Sequence, residues 1–232
     1  MVNIYDVYNT VQVIINKENR GYLTQDEFNR LAIQAQLEIF EGYFGDKNRA
    51  GTLGENSDDY SDIARNIEEK LTFFDNVGNV TNTNGLWPYS QLSNFYRIGI
   101  VKTVPATGLP VIIDEVSHKD IAYINLSNLT APTATQPVYT RHEGGIIVYP
   151  TLDTVSVNYI RRPRDPNIVG VVVNSMFMPS TTDPAYQNFE LHPSEQHELV
   201  AKILTYAGIV IRAAEITQIG SQKEQSIKGT EG

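Results

Sequence analysis

The chain has 232 residues, no cysteine and a formal net charge of −9. That length can bury a sizeable core, as one large domain or two small ones. The missing cysteines exclude disulfides and thiolate metal sites. The acidity argues against tight, non-specific nucleic-acid binding but is compatible with a wall that DNA passes without sticking.

The stretch from Met1 to Thr10 carries Asp6 and no basic residue, so it does not read as a signal peptide. No run approaches the roughly 20 apolar residues of a membrane span, so no membrane partner is expected and a cytoplasm is the expected place of synthesis and assembly. Val2 to Glu18 reads as a first helix, with Ile4, Val7, Val11 and Ile14 at spacings of three and four. It should run antiparallel to a second helix across a short turn at Gly21.

That second helix, Thr24 to Phe44, is the centre of the chain. Thr24 and Glu27 have capping-box spacing, and Asp26 and Glu27 place negative charge at the positive end of the helix dipole. Phe28, Leu31, Ala32, Ala35 and Ile39 form one apolar stripe, which Leu37, Phe40, Tyr43 and Phe44 widen. The junction between the two helices, Asn16 to Glu27, also has the outline of an EF-hand loop, with Gly21 and Glu27 at the expected places. Arg20 falls where an oxygen ligand is needed, so a helix–turn–helix corner is the better reading and calcium binding the alternative.

Gly45 to Ser57 is a polar, glycine-rich connector. Asp58 to Leu71 is a third helix burying Tyr60, Ile63, Ile67 and Leu71. Asp75 to Gly85, rich in Asn, Gly and Thr, reads as turns and an edge strand. After Trp87 and Pro88 the pattern turns extended: Phe95 to Val104, Val111 to Val116, Ile121 to Leu126, Gly145 to Tyr149 and Thr154 to Ile160 are expected strands. In the last of these Val155, Val157 and Tyr159 face one way, with Ser156 and Asn158 facing the other. Prolines and glycines punctuate the runs, which suggests a compact sheet or small barrel inserted between helical segments.

Arg161, Arg162 and Arg164 follow the last strand, held out of a helix by Pro163 and Pro166. Val169 to Met178 is a further strand or an extended arm, and Ser180 to Phe189 a polar loop. Pro193 and Glu195 open a closing helix whose buried face runs from Leu199 and Val200 through Ile203, Leu204 and Ala207 to Val210, Ile211 and Ala214. It should return onto the N-terminal helices. The expected class is therefore α+β, a helical bundle with an inserted small antiparallel β lobe. The parts are an N-terminal helical part at 1–75, the lobe at 76–168, an arm at 169–190, the return helix at 191–219 and a polar tail at 220–232.

Reactive constellations are few. His192 and His197 lack the i,i+4 spacing of a zinc-binding helix and read as parts of a helix start. His142 and Glu143 adjoin Gly144 and Gly145, the composition of a hairpin turn. Ser117, His118 and Asp120 are near in sequence, but Ser117 has no glycine-flanked elbow and a triad needs convergence in space. No glycine loop continues into Lys–Ser or Lys–Thr, so no phosphate cradle is read. The three arginines supply too few phosphate contacts for DNA binding and are better suited to solvent or to a neighbouring subunit.

Three stretches carry a family resemblance: Gly21 to Phe44 with Thr24, Glu27, Phe28, Ala35, Gln36 and Ile39; Ile146 to Pro163 with Val148, Tyr149, Pro150, Val157, Tyr159, Ile160, Arg161, Arg162 and Pro163; and His192 to Gln218. In this order, around a β lobe, they resemble the head-to-tail connector or adaptor proteins of short-tailed bacteriophages, the tail tubular protein A family. The resemblance implies a dodecameric ring in the virion neck. Its partners would be the portal protein above, a tail or nozzle protein below, and double-stranded DNA passing through without specific binding. It implies no catalytic residue, metal or cofactor. Arg161, Arg162 and Arg164 are the candidate subunit or channel contacts. The alternatives are a calcium-binding module on Asn16 to Glu27 and a small hydrolase using His142 or His118.

Overall fold

The computed structural model describes residues 1–17, 23–52, 58–103, 108–127, 129–173 and 176–208. The chain forms two compact units, one from Met1–Phe44 with Asp165–Gly232 and the other from Gly45–Arg164.

In the first unit, α1 (Ile4–Lys17) buries Ile4, Val7, Tyr8, Val11 and Ile15. The stripe ends on Ile15 rather than the expected Ile14 because 3.6 residues per turn carry the buried face around the helix. The expected turn at Gly21 lies outside the described residues. The helix α2 (Gln25–Thr52) begins where its capping box predicts. The Glu27 carboxylate accepts from the Thr24 N–H at 3.0 Å and from the Thr24 hydroxyl at 2.7 Å, while the Glu27 N–H donates to Thr24 Oγ1 at 3.4 Å. Phe28, Ala32, Ala35, Ile39 and Phe40 are buried behind it. Tyr8 meets Phe28 edge-on, ring centroids 5.0 Å apart. The helix α5 (Gln196–Tyr206) returns onto these helices with Leu199, Ile203 and Leu204 fully buried. The expected continuation through Ala214 lies outside the described residues.

Between β sheet and closing helix the chain has little regular structure of its own, and amide side chains hold it. Ile168 N–H donates to Asn29 Oδ1 at 2.9 Å, and Asn29 Nδ2 donates back to the Ile168 carbonyl at 3.2 Å. Gln25 Nε2 reaches the same carbonyl at 2.6 Å. Gln36 accepts from the Glu190 N–H, and Asn188 accepts from the Ile4 N–H, each at 3.0 Å. These bonds satisfy backbone groups that burial would otherwise strand. Val169 to Met178, read as a strand or an arm, is a hairpin of β8 (Gly170–Val173) and β9 (Met176–Pro179).

The second unit holds α3 (Asp58–Thr72), whose Ile67 and Leu71 are buried, and a sheet of seven strands. The strands are β1 (Asp75–Thr81), β2 (Trp87–Pro88), β3 (Phe95–Thr103), β4 (Val111–Glu115), β5 (Val138–His142), β6 (Gly145–Tyr149) and β7 (Thr154–Arg161). Their order is β1-β7-β3-β4-β5-β6-β2. The end strands β1 and β2 are successive in the chain, linked by a turn in which Thr83 and Leu86 exchange backbone hydrogen bonds of 2.8 and 3.1 Å. Asn84 and Gly85 both have positive φ there, as a tight primed turn requires. Two irregularities in β3, between Phe95 and Arg97 and between Ile98 and Val101, add the bending that rolls the sheet into a nearly closed, barrel-like body. Its interior is Trp87, Ile98, Val101, Tyr139, Val148, Val157 and their neighbours. Along β7, Val155, Val157 and Tyr159 point in and Ser156 and Asn158 do not, as the alternation predicts.

Several expectations are corrected. The β part is a large barrel-like sheet, not a small lobe, and it is not purely antiparallel, because β4 and β5 run parallel. The connector expected at Gly45 to Ser57 is helical as far as Thr52. Lys47, Arg49 and Ala50 favour helix by intrinsic propensity, which a search for apolar periodicity does not register. Positions 53–57 lie outside the described residues. Ile121 to Leu126 is no strand: it falls largely in α4 (His118–Ile124), started by Ser117, whose hydroxyl accepts from the Asp120 N–H. The edge strand expected within Asp75 to Gly85 is present as β1, at the end of the strand order beside β7.

Candidate functional site

Arg161 ends β7, its guanidinium 3.4 Å from the Phe73 carbonyl and 6.0 Å from the centroid of the Phe74 ring. The Arg162 N–H donates to the Asn94 carbonyl at 2.7 Å, which ties down the backbone; the Arg162 and Arg164 side chains are exposed. The three arginines therefore share a strand end but differ in use, with Arg161 half-buried over an aromatic ring.

His118 and His142, weighed separately in the sequence, come together: their rings meet edge-on with centroids 4.5 Å apart. Thr140 Oγ1 lies 3.4 Å from His142 Nε2. Ser117 does not serve them, because its hydroxyl donates to Asp120 Oδ2 at 2.7 Å as part of the α4 cap. His142 and Gly145 are opposed across the two-residue turn Glu143–Gly144, the hairpin that the glycines predicted. Beside this pair, Glu115 accepts from Arg141 at 2.6 Å and from the Tyr139 hydroxyl at 3.1 Å. Burial first, then the Glu115 charge, pushes the Tyr139 hydroxyl up to about 12, so it stays a proton donor throughout the physiological range.

A Ser–His contact does occur elsewhere, between His192 Nδ1 and Ser194 Oγ at 2.8 Å. The Ser194 N–H also points at that nitrogen, at 3.3 Å, so the imidazole caps the short helix Pro193–Glu195. Of the calcium reading, positions 18–22 lie outside the described residues. Asn16 is inside α1, and Glu27, the required bidentate ligand, is engaged by Thr24. Among the described residues no group of three or more His, Asp or Glu side chains is placed to hold a metal ion. No described helix is long and apolar enough to cross a membrane.

Two surface features went unread in the sequence. One is an open groove on the sheet, lined by Asn76 and Val77 of β1, Gly99 and Ile100 of β3, and Asn158 and Ile160 of β7. Gly99 is favoured there, since a Cβ would sit 3.0 Å from the Asn158 carbonyl oxygen. The other is the β8–β9 hairpin, which exposes three successive valines. Alternation alone marks neither, because a valine run looks the same whether it is covered or bare.

No protein-family model matches the chain, and comparison with curated proteins returns no match.

Proposed function

We propose that this chain is a structural subunit of a phage neck, a ring-forming adaptor. It joins the portal protein to the tail and extends the DNA channel for genome retention and ejection. The observation that carries the reading is the chain order: N-terminal helices, an inserted β body and a closing helix that packs back on the N-terminal helices. The same order underlies the resemblance to the adaptor family. The surface supports it, since large apolar side chains stand in solvent in two stretches, from Leu109 to Leu129 and from Val171 to Met178. Such groups suit neighbours rather than water. Arg162 and Arg164 are assigned to contacts with acidic groups of a neighbouring subunit, and the net negative charge lets DNA pass without fixed phosphate contacts.

Electron microscopy of virions, with this chain located in the map, tests the proposal. The expected result is a closed ring on the channel axis between portal and tail. A chain absent from the particle, or a monomer that fails to associate with portal and tail proteins present, overturns it.

A further inference from the structure

A strand at the edge of a sheet offers its outward N–H and C=O groups to any extended segment, and natural edges are blunted by shortness, proline, charge or a bulge. The two end strands of the seven-stranded sheet differ in this respect. β2 is two residues long and ends on Pro88, which has no N–H. β1 is seven residues long and pairs with β7 without a break in register. From Asn76 to Thr81 it contains no proline and no charged residue, so the ordinary safeguards are missing along its length.

The register fixes which groups face outward. The Arg161 N–H donates to the Phe74 carbonyl at 2.9 Å and the Asn82 N–H to the Asp153 carbonyl at 3.1 Å, so 74–161 and 82–153 are hydrogen-bonded pairs. Alternation makes 76, 78 and 80 hydrogen-bonded to β7 as well. Val77, Asn79 and Thr81 therefore turn both N–H and C=O away from β7.

Side-chain amides occupy two of these three places. The Thr81 N–H donates to Gln91 Oε1 at 2.9 Å, and Gln91 Nε2 donates to the Thr81 carbonyl at 3.3 Å. The Thr81 hydroxyl also donates to Oε1, at 3.2 Å. The Gln91 amide thus gives Thr81 the donor and the acceptor that a neighbouring strand would give it. The Val77 N–H donates to Asn76 Oδ1 at 2.9 Å, and Asn76 is steadied by donating to the Tyr159 hydroxyl at 3.1 Å. Among the described residues, the Asn79 N–H is the one of the three without a partner. Gln91 comes from outside the strand, at the end of the short helix Tyr89–Gln91, and within the described residues its side chain bonds Thr81 alone.

We infer that Gln91 is an autoinhibitory cap: its amide holds the place of a strand and keeps β1 from pairing, edge to edge, with β1 of a second copy. Two identical edges run antiparallel are self-complementary, each outward N–H meeting an outward carbonyl, and in a solution of this chain that edge is the strand on offer. Such a pairing is closed at two copies. The inference is independent of the neck-ring reading.

The full chain is studied without partner proteins. Gln91 is exposed, so Gln91→Met removes the amide bonds, keeps the aliphatic stem and leaves the circular dichroism spectrum unchanged. In the wild type, amide exchange at Thr81 should be slower than at Asn79, and Gln91→Met should speed it at least about fivefold, the factor for one hydrogen bond of ordinary strength. Gln91→Met should also sediment as a concentration-dependent dimer, with the Asn79 amide gaining protection as concentration rises. Adding Asn79→Pro removes the open N–H, spares the bonds to β7 and should abolish that dimer. Faster Thr81 exchange with sedimentation unchanged would make Gln91 a local brace and overturn the inference. Association that survives Asn79→Pro overturns it too. So does a wild type in which Thr81 exchanges as fast as Asn79, a comparison that needs no variant.

Discussion

Asn29 and Ile168 exchange two hydrogen bonds, the N–H of Ile168 to Asn29 Oδ1 at 2.9 Å and Asn29 Nδ2 to the Ile168 carbonyl at 3.2 Å. A side-chain amide here plays the part of a strand, giving one donor and one acceptor to a residue that is wholly buried. Asn29→Ala would leave the Ile168 N–H unsatisfied in the interior. The expected loss is about 1–3 kcal/mol, the range for a stranded buried polar group, read as a lower urea midpoint at unchanged slope.

Thr24 and Glu27 make the cap that starts α2. Thr24→Ala should lower stability by about 1 kcal/mol. The hydrogen bonds from the Thr24 side chain and then its backbone hold the Glu27 carboxyl below its ordinary range. A lowered folded-state pKa means the contribution is complete above the ordinary carboxylate pKa and disappears as pH falls through the folded value. Wild type and Glu27→Gln should therefore converge in thermal midpoint at acidic pH and separate near neutrality. Calcium at millimolar concentration should give no binding heat by calorimetry; a saturable heat would restore the helix–loop–helix reading.

Tyr206 on α5 donates to Glu38 on α2, and Lys202 pairs with the same carboxylate at 2.9 Å. The bond from Tyr206, then that from Lys202, lowers the Glu38 pKa, while the bond to Glu38 raises Tyr206 to about 12. The two signs bracket a window. The Glu38 contribution is lost as pH falls through its lowered value, and that of Tyr206 as pH rises through about 12. Tyr206→Phe should lower the thermal midpoint between these limits and have a shrinking effect outside them. Both groups are accessible to solvent, so salt should also reduce the difference.

Gly145 opens β6 against Trp87. A Cβ there would collide with the Trp87 carbonyl oxygen and lie 2.9 Å from Pro88 Cα. Those atoms are backbone and cannot swing aside. Gly145→Ala should cost at least about 1–3 kcal/mol, the range for overpacking, through loss of the short β2–β6 pairing. Trp87 is the lone tryptophan and is buried, so its fluorescence should shift to the red on this substitution. An unshifted spectrum would show that β2 had moved as a body without exposing the ring.

The helices were legible because their signals are local. Thr24 with Glu27, and the spacing of Phe28, Ala32, Ala35 and Ile39, need no knowledge of the rest of the chain. The same cap logic applied to Ser117 and Asp120 would have revealed α4; the alternating Ile121, Tyr123 and the apolar residues around them masked it. Only Ile121 of that helix is buried, so its stripe is too thin to register. Strand β5 hid behind Pro137, and the parallel neighbours β4 and β5 could not be inferred from turns, since no turn joins them. The meeting of His118 with His142, and of Asn29 with Ile168, depends on tertiary closure. No spacing in the sequence encodes such distances.

The barrel has a seam. Among the described residues, β1 and β2 share no ladder, and their link is the turn at Thr83 and Leu86. A cylinder fastened at one end of its slit yields there first, peeling open like a cuff while the tight turn acts as the hinge. Deuterium should accordingly enter the amides flanking that slit well before those of β3 and β7, which are walled in on both sides.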